Sequence, residues 1–345
     1  MAQLLIDLPA ESASRLLTLS LLEQLSVHGT YVPRPSAGPD VMRDSVVEAN
    51  RRDAYRAALN RLRGCIALYH EMLSESIPRK VRRRLRAIAK AANALHDVDV
   101  QLGWLTRIDR AGQGTLAAQW LRDRLARRHE RLGLRLAQVQ EDTRPLQRLA
   151  KRLSVFTTAI HLDELNVSLS FAALTGQRLI GVGATLHGLL ANVSPRDDAR
   201  ALRRVCRASD HVVYLLEPVR ASAGAEPLTG MAYALRSALE RLHESGVVVE
   251  ALVEGARRIG AVQMMTRVRR AAEPCDHPGE NGDALIPMTS SVLPDEVAPG
   301  LVSLAERVRD ERAQSFAGFA SQWTSPAHDT FFAELERLIG ALGTH

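Results

Sequence analysis

The sequence predicts an all-α protein built from long antiparallel helices, and three observations support this prediction. The 345 residues are 46% hydrophobic but only 4% aromatic, so the core should be mainly Leu, Ala and Val, a mix that favours helices over strands. Apolar residues recur with the helical period through most of the chain. Gly, Pro and Ser separate the periodic segments, as turn residues do between helices.

The first periodic segment predicts a helix over residues 9–27, and a Pro- and Gly-rich linker follows at Tyr31–Asp40. Ten further helices are predicted at 41–75, 78–109, 115–140, 144–159, 165–192, 195–217, 228–244, 246–271, 300–323 and 326–342.

Several of these helix boundaries have a chemical basis. Ser194-Pro195 places an N-cap serine before a proline at the first helical position. Gly112 with Gly114, and Ser245-Gly246, are expected to break helices where the period stops. The one strand considered is a short one at Gln3–Asp7. Residues 272–299 combine Pro, Gly and acids with no period, which indicates a mobile acidic surface loop.

Several classes of protein are excluded by what the sequence lacks. No apolar run approaches the roughly 18 residues needed to span a bilayer. The N-terminus lacks a charged region followed by an apolar stretch, so no signal peptide is expected. The three scattered cysteines do not form a disulfide framework. No Ser-His-Asp arrangement, Gly-rich phosphate loop or metal-ligand spacing is visible, and Cys275, Asp276 and His277 lack a second ligand pair. We therefore expect a cytoplasmic protein with no cofactor, no metal and no enzymatic activity.

The positive charge belongs to one segment of the chain. Residues 1–40 carry a formal charge of −2, residues 41–150 carry +11 and residues 151–345 carry −3. Within Arg79–Lys90, seven of twelve residues are basic. On a helix, Arg79, Arg83, Arg86 and Lys90 fall within about 60° of one another, opposite an apolar face. Each like-charge pair one turn apart costs about 0.2–0.5 kcal/mol, so this stripe favours an anionic partner.

The preceding predicted helix has a similar stripe, because Arg52, Arg56, Arg63 and His70 lie within about 40° of each other. Two antiparallel helices with these stripes turned inward would line one groove with cations. Asp97 falls on the stripe of Lys90 and Arg86 and is expected to pair with them when no ligand is bound. His96 and Asp99 flank Asp97, but successive helical residues point to different faces, which disfavours a metal site.

At these residues the chain resembles a known family. RLRGCIALYHEML, followed some twenty residues later by LRAIAKAANALHDVDVQL, is similar to the first half of a CHAD domain, the conserved histidine α-helical domain. Ala199–Val219 resembles the repeated His/Arg helix of the second half, and the C-terminal segment resembles the closing helical hairpin. The resemblance covers roughly residues 41–345. It implies two similar helical bundles around a basic central channel that binds inorganic polyphosphate without known catalysis.

The sequence also departs from the pattern of this family. Asp53 occupies the place of the naming histidine, Asn60 replaces an arginine, and His96 stands where an arginine is usual. In the second repeat Arg203 stands at the histidine position, His211 is broadly similar, and three basic positions are replaced by Cys206, Asp210 and Val213. A separate stripe on this helix is expected to form a solvated outer face; it consists of Arg200, Arg204, Arg207 and His211.

The N-terminal segment LLIDLPAESASRLLTLSLLEQL is similar to the opening strand and helix of a CYTH triphosphatase domain. It lacks the Glu-x-Glu-x-Lys signature and the remaining barrel, so no triphosphatase activity is expected. The same segment could instead supply the first helix of the CHAD bundle, and the sequence leaves both alternatives open.

These observations predict two pseudo-repeated antiparallel bundles. Residues 1–40 form an N-terminal helix and linker, 41–160 a basic first repeat, and 161–345 a degenerate second repeat. The predicted function is non-catalytic binding of polyphosphate, or another polyanion, in a groove of the first repeat; nucleic acid is less favoured because few aromatic residues accompany the cations. The alternative is an interaction or scaffold protein, for example on polyphosphate or polyester granules, that kept the fold and lost ligand binding. The predicted binding residues are Arg52, Arg56, Arg63, Arg79, Arg83, Arg86, Lys90 and His96, with support from Arg61, Asp97, Asp99, Arg203 and His211.

Overall fold

The computed structural model describes residues 5–28, 41–142, 144–159, 169–194, 199–221, 224–272, 297–323 and 326–343, without the side chains of 41–48, 156–159 and 261–272. These residues form eleven α-helices: α1 (Ala10–Val27), α2 (Val41–Leu68), α3 (His70–Leu73), α4 (Arg79–Arg110), α5 (Leu116–Gln140), α6 (Arg144–Ala159), α7 (Phe171–Leu190), α8 (Ala199–Leu216), α9 (Ala225–Ala272), α10 (Val297–Trp323) and α11 (Pro326–Gly343). A short 3-10 turn at Glu217–Val219 follows α8.

The all-α prediction is confirmed, since the described residues contain no strand beyond an isolated bridge between Pro9 and Ser170. The short strand expected at Gln3–Asp7 is wrong where the structure describes it, because Leu5 and Ile6 are helical. Most of the loop expected at 272–299, with Cys275, Asp276 and His277, lies outside the described residues. Its two ends are helical, since α9 runs to Ala272 and α10 begins at Val297.

The predicted break at Ser245-Gly246 is wrong, because α9 is one helix from Ala225 to Ala272. A Cβ atom added at Gly246 would lie 3.1 Å from the Cβ atom and 3.2 Å from the Cα atom of Ala199. The glycine therefore allows the start of α8 to pack closely against the middle of α9. Its role depends on a tertiary contact, which the local sequence does not show.

Other predicted boundaries agree better with the structure. Gly112 adopts φ +69° between α4 and α5, a conformation that favours glycine. The Thr115 hydroxyl then caps α5 by accepting a hydrogen bond from the backbone N–H of Ala118.

The helix expected over 41–75 is interrupted at Tyr69, whose buried hydroxyl lies 3.1 Å from Oγ1 of Thr175. Pro195, which was expected to open α8 after the cap at Ser194, is outside the described residues.

The buried apolar residues form two clusters. The larger one joins α1, α2, α7, α8 and α11 with the first halves of α4 and α9. The smaller one joins the second half of α4 with α5, the second half of α9 and the start of α10. Each cluster combines residues from both predicted repeats, and the division of the chain into 41–160 and 161–345 stays a prediction.

The N-terminal helix α1 is part of the larger cluster. Leu17, Leu21 and Leu25 are buried, and α1 packs against α2 and α6. This packing matches the second of the two N-terminal alternatives, in which the segment supplies a helix of the bundle.

Four helices position the candidate site, in two antiparallel pairs. The pair of α2 and α4 is held in register by a hydrogen bond of 3.1 Å from Nδ2 of Asn60 to Oδ1 of Asn93. The pair of α8 and α9 is held by an ion pair of 2.7 Å between Nε of Arg236 and Oδ1 of Asp210. Helix α2 crosses α8 and joins the two pairs.

Candidate anion-binding site

Where α2 crosses α8, Arg63 of α2 lies in the electrostatic field of two arginines from other helices. Arg63 of α2 is half-buried, and its pKa is lowered first by burial and then by the charges of Arg207 on α8 and Arg86 on α4. Among the described residues, no carboxylate forms an ion pair with any of the three. We refer to Arg63, Arg86 and Arg207 as the cation cluster.

The glycine next to Arg63 explains why the cation cluster forms. A Cβ atom added at Gly64 would lie 2.5 Å from Cδ2 of Tyr214, so only a glycine lets α2 approach α8 this closely. Arg207 lies two turns before Tyr214 on α8. The close crossing therefore brings Arg207 toward Arg63, while the register of the α2–α4 pair places Arg86 on the other side.

His211 is a neutral neighbour of the cation cluster. Burial, and then the charge of Arg207, lower the pKa of His211 to about 4, so its imidazole carries no charge at pH 7. In the stripe predicted to form a solvated outer face, Arg200, Arg204 and Arg207 are exposed, whereas His211 is half-buried. The prediction is therefore wrong for His211 alone among these four residues.

The other end of α2 carries cations that are already paired. Arg52 lies 3.1 Å from Asp99 of α4, and Arg56 lies 3.0 Å from Asp53 and 3.5 Å from Glu240 of α9. Nδ1 of His96 lies 3.1 Å from Oδ1 of Asp53. The hydrogen bond from His96, together with the charge of Arg56, holds the pKa of Asp53 well below its usual range against the effect of burial. We refer to this set as the paired network: Arg52, Asp53, Arg56, His96, Asp99 and Glu240.

The paired network therefore contains three of the predicted binding residues, Arg52, Arg56 and His96. Asp97 has a different partner from the one predicted. That carboxylate pairs with Arg203 of α8 at 3.5 Å and not with Lys90 or Arg86, because Arg203 reaches it from another helix, which the helical stripe alone could not show.

The remaining predicted residues lie outside the cation cluster. Arg79, Arg83 and Lys90 are exposed on the same face of α4 as Arg86. Oδ1 of Asp99 also lies 3.0 Å from Nε2 of His129. Arg61 lies apart from the cation cluster and pairs with Glu217 at 2.5 Å.

Three titratable residues of α8 and α9 near the paired network were not predicted as site residues: Asp210, His243 and Glu244. Burial raises the pKa of Asp210 to about 6, although the charge of Arg236 opposes this effect. Burial, followed by the charge of Glu240, raises the pKa of Glu244, while burial and then Arg203 lower the pKa of His243. The spacing of Arg236, Glu240, His243 and Glu244 on one predicted helix could have indicated this polar face.

The described part of the chain contains neither a candidate metal site nor a candidate membrane-spanning helix. No group of three or more His, Cys, Asp or Glu residues there could hold a metal ion. Within the same residues, no helix combines the length and the apolar character that a membrane crossing requires.

The model of the CHAD domain family matches residues 38–253, a range that contains the cation cluster and the paired network. The chain belongs to the CHAD domain family. Its structure is similar to PptA from Streptomyces chartreusis, with a TM-score of 0.57 and 13% identity over 92% of this chain and 100% of that chain. At this identity the similarity shows a shared fold. No curated protein matches the sequence significantly.

Proposed function

We propose that this CHAD domain protein binds inorganic polyphosphate, without catalysis, and that the cation cluster is the centre of the binding site. The observation that carries the proposal is the convergence of Arg63, Arg86 and Arg207 from three helices, with no carboxylate partner in the described residues. Membership of the family supports phosphate chains as the polyanion.

The electrostatics of the cation cluster favour a bound anion. Arg63 is partly removed from water and lies in the positive field of two other guanidinium groups, an arrangement that opposes folding. A phosphate chain would convert this repulsion into charge-assisted hydrogen bonds, which are often bidentate for arginine. Arg83 and Lys90, exposed on the same face of α4, would extend the contacts along the chain.

The paired network has a different role in this proposal. Its cations already have carboxylate partners within 3.0–3.5 Å, so a phosphate chain would have to compete with them. Arg52, Arg56 and His96 then act by holding α2, α4 and α9 together. The predicted set of eight binding residues is thereby narrowed to those that lie in or beside the cation cluster.

The experiment compares the affinity for long-chain polyphosphate of wild type, Arg86→Glu/Arg207→Glu and Arg110→Glu/Arg148→Glu. The control pair is exposed, lies outside the cation cluster and changes the net charge equally. Two charge-assisted contacts of about 1.5–3 kcal/mol each predict a loss of roughly 100-fold or more for the first variant. Its salt slope, log K against log [salt], should also flatten by about 1.4, or 0.7 per lost contact.

Equal affinity of the two variants would contradict the assignment of the cation cluster. Circular dichroism and urea unfolding of both variants distinguish a lost contact from a lost fold. A competition between polyphosphate and RNA shows which polyanion the site prefers, and weaker displacement by RNA is expected because few aromatic residues are available for base stacking.

A second candidate function is an interaction or scaffold protein that kept the CHAD fold and lost most ligand binding. The paired network favours it, because carboxylates neutralise Arg52 and Arg56 and Asp53 replaces the naming histidine. Failure of wild type to bind polyphosphate even at low salt would support this function. Granule association and a cytoplasmic location stay predictions.

A further inference from the structure

A second basic groove lies between α5 and α9, and most of the residues that line it are outside the cation cluster and the paired network. It has a volume of about 830 Å³, and seven arginines and three carboxylates are among the residues that line it. Its apolar floor includes Leu121, Leu125 and Leu132. Six of the arginines come from α5 and α9: Arg124, Arg128, Arg131, Arg135, Arg257 and Arg258.

The four arginines of α5 form a straight ladder. Their spacing of four, three and four residues places them within about 60° of one another on the helix and spreads them over about 16 Å. The buried residues Leu121, Leu125 and Leu136 occupy the neighbouring arc of α5. The ladder therefore runs along one rim of the groove.

Arginines of α9 face this ladder from the opposite rim. Burial, and then the charge of Arg258, lower the pKa of Arg124, while Glu254 opposes this effect. Glu254 lies 3.7 Å from Arg124 and 2.9 Å from Arg258, so one carboxylate serves two cations. In the described part of the chain, no carboxylate forms an ion pair with Arg128, Arg131 or Arg135.

Asp97 marks where the groove begins along α4, on the side that leads to the cation cluster. This residue lines the groove and also pairs with Arg203 of α8. On α4, Asp97 lies on the same face as Lys90 and Arg86, about 16 Å from Arg86 along the helix axis. The face of α4 thus links the two groups of cations.

We propose that the groove is a second binding segment for the same phosphate chain, so that a long polyphosphate occupies the cation cluster and the α5 ladder together. The inference rests on the proposed function. A phosphate chain is favoured over RNA because none of the described residues that line the groove is aromatic, which leaves bases without a stacking surface. Occupying both segments makes the second contact intramolecular and raises affinity only for chains long enough to span them.

The test measures binding of tripolyphosphate and of long-chain polyphosphate to four proteins: wild type, the groove variant Arg128→Glu/Arg131→Glu, the cluster variant Arg86→Glu/Arg207→Glu and the control Arg110→Glu/Arg148→Glu. Tripolyphosphate is far shorter than the roughly 30 Å from Arg86 to the end of the ladder. The groove variant should bind long chains about tenfold more weakly than the control, with a flatter salt dependence. Its affinity for tripolyphosphate should stay within about twofold of the control, and the cluster variant should lose affinity for both ligands.

Two results would overturn the inference while leaving the proposed function intact. One is a groove variant that binds long chains as tightly as the control. The other is a groove variant that loses binding of duplex RNA but keeps its affinity for long polyphosphate, which would assign the groove to nucleic acid. If wild type binds neither phosphate ligand, the proposed function fails together with the inference. Urea unfolding of each variant verifies that the fold is kept.

Discussion

The two ends of the α2–α4 pair carry similar residues in opposite electrostatic states. Arg56 and Arg63 are two turns apart on α2, about 10 Å along its axis. Arg56 has two carboxylates within 3.5 Å, whereas Arg63 has two further arginines as its charged neighbours. The paired network satisfies its own charges and needs no ligand, while the cation cluster is left with charges that an anion would satisfy.

This difference shows that a count of basic residues on a helix face does not locate a binding site. Both arginines belong to one predicted stripe, and both are partly buried. What separates them is the third helix at each position, because α9 brings Glu240 to Arg56 and α8 brings Arg207 to Arg63. We therefore propose as anion-binding residues the cations that have no carboxylate ion pair among the described residues.

The largest effect is expected from Arg63→Gln, and the same substitution at Arg56, two turns earlier on α2, is its matched comparison. Arg63→Gln should weaken polyphosphate binding by about 1.5–3 kcal/mol, or roughly 10- to 100-fold, because it removes a charge-assisted contact. Its free energy of unfolding should stay equal or rise, since repulsion is relieved. Isothermal titration calorimetry and urea unfolding measure the two quantities.

The matched variant Arg56→Gln should show the opposite pattern. It leaves Asp53 and Glu240 without this partner and should lower the free energy of unfolding by about 0.5–1 kcal/mol, as for other partly exposed pairs. Its polyphosphate affinity should change by less than about threefold. If Arg56→Gln weakens binding as much as Arg63→Gln, the distinction between the paired network and the cation cluster is wrong.

The next effect concerns the crossing that creates the cation cluster. Gly64→Ala places a methyl group 2.5 Å from the Tyr214 ring and should lower the free energy of unfolding by about 1–3 kcal/mol through overpacking. Polyphosphate affinity should fall with it, because α2 and α8 are pushed apart.

The control for this crossing is Gly103→Ala on α4, where no atom lies within 4 Å of the added Cβ. Alanine at this exposed position within the helix should raise the free energy of unfolding by about 0.5–1 kcal/mol. Urea unfolding of both variants tests the pair. Equal stability of Gly64→Ala and wild type would show that the close crossing is not required.

The smallest effect is a dependence on pH through Asp210, which faces Arg236, Glu240, Arg56 and Arg207. Its pKa of about 6, above the ordinary 3.8, means that the folded state binds more protons than the unfolded state between these values. Its contribution to stability is therefore present at low pH and is lost as the pH rises through 6.

Protonation of Asp210 also removes a negative charge near Arg207. Polyphosphate affinity should rise about two- to fivefold between pH 7 and pH 5, as expected for one charge several ångströms away in water. Asp210→Asn should flatten this pH profile, whereas Glu336→Gln, at an exposed residue of α11, should keep it. An unchanged profile in Asp210→Asn would remove Asp210 from the electrostatics of the site.

Local chemistry predicted most of the helices. Gly112 and the Thr115 cap mark the turn between α4 and α5 because positive φ and side-chain capping act within a few residues. The break expected at Gly246 was wrong for the complementary reason, since that glycine serves contact with a residue 47 positions away in sequence, Ala199. Helix boundaries depend on neighbours along the chain, whereas the use of a small residue inside a helix depends on neighbours in space.

The sequence by itself determined the all-α architecture, the basic character of residues 41–150 and the membership of the family. Periodicity, composition and motif spacing are properties of the sequence and can be read without knowing the fold. Only the tertiary structure decided which of the cations are paired, because each ion pair of the paired network except that between Arg56 and Asp53 joins two different helices. The α2–α8 crossing at Gly64 likewise placed the exposed Arg207 near Arg63, since charges interact according to distance in space and not according to separation along the chain.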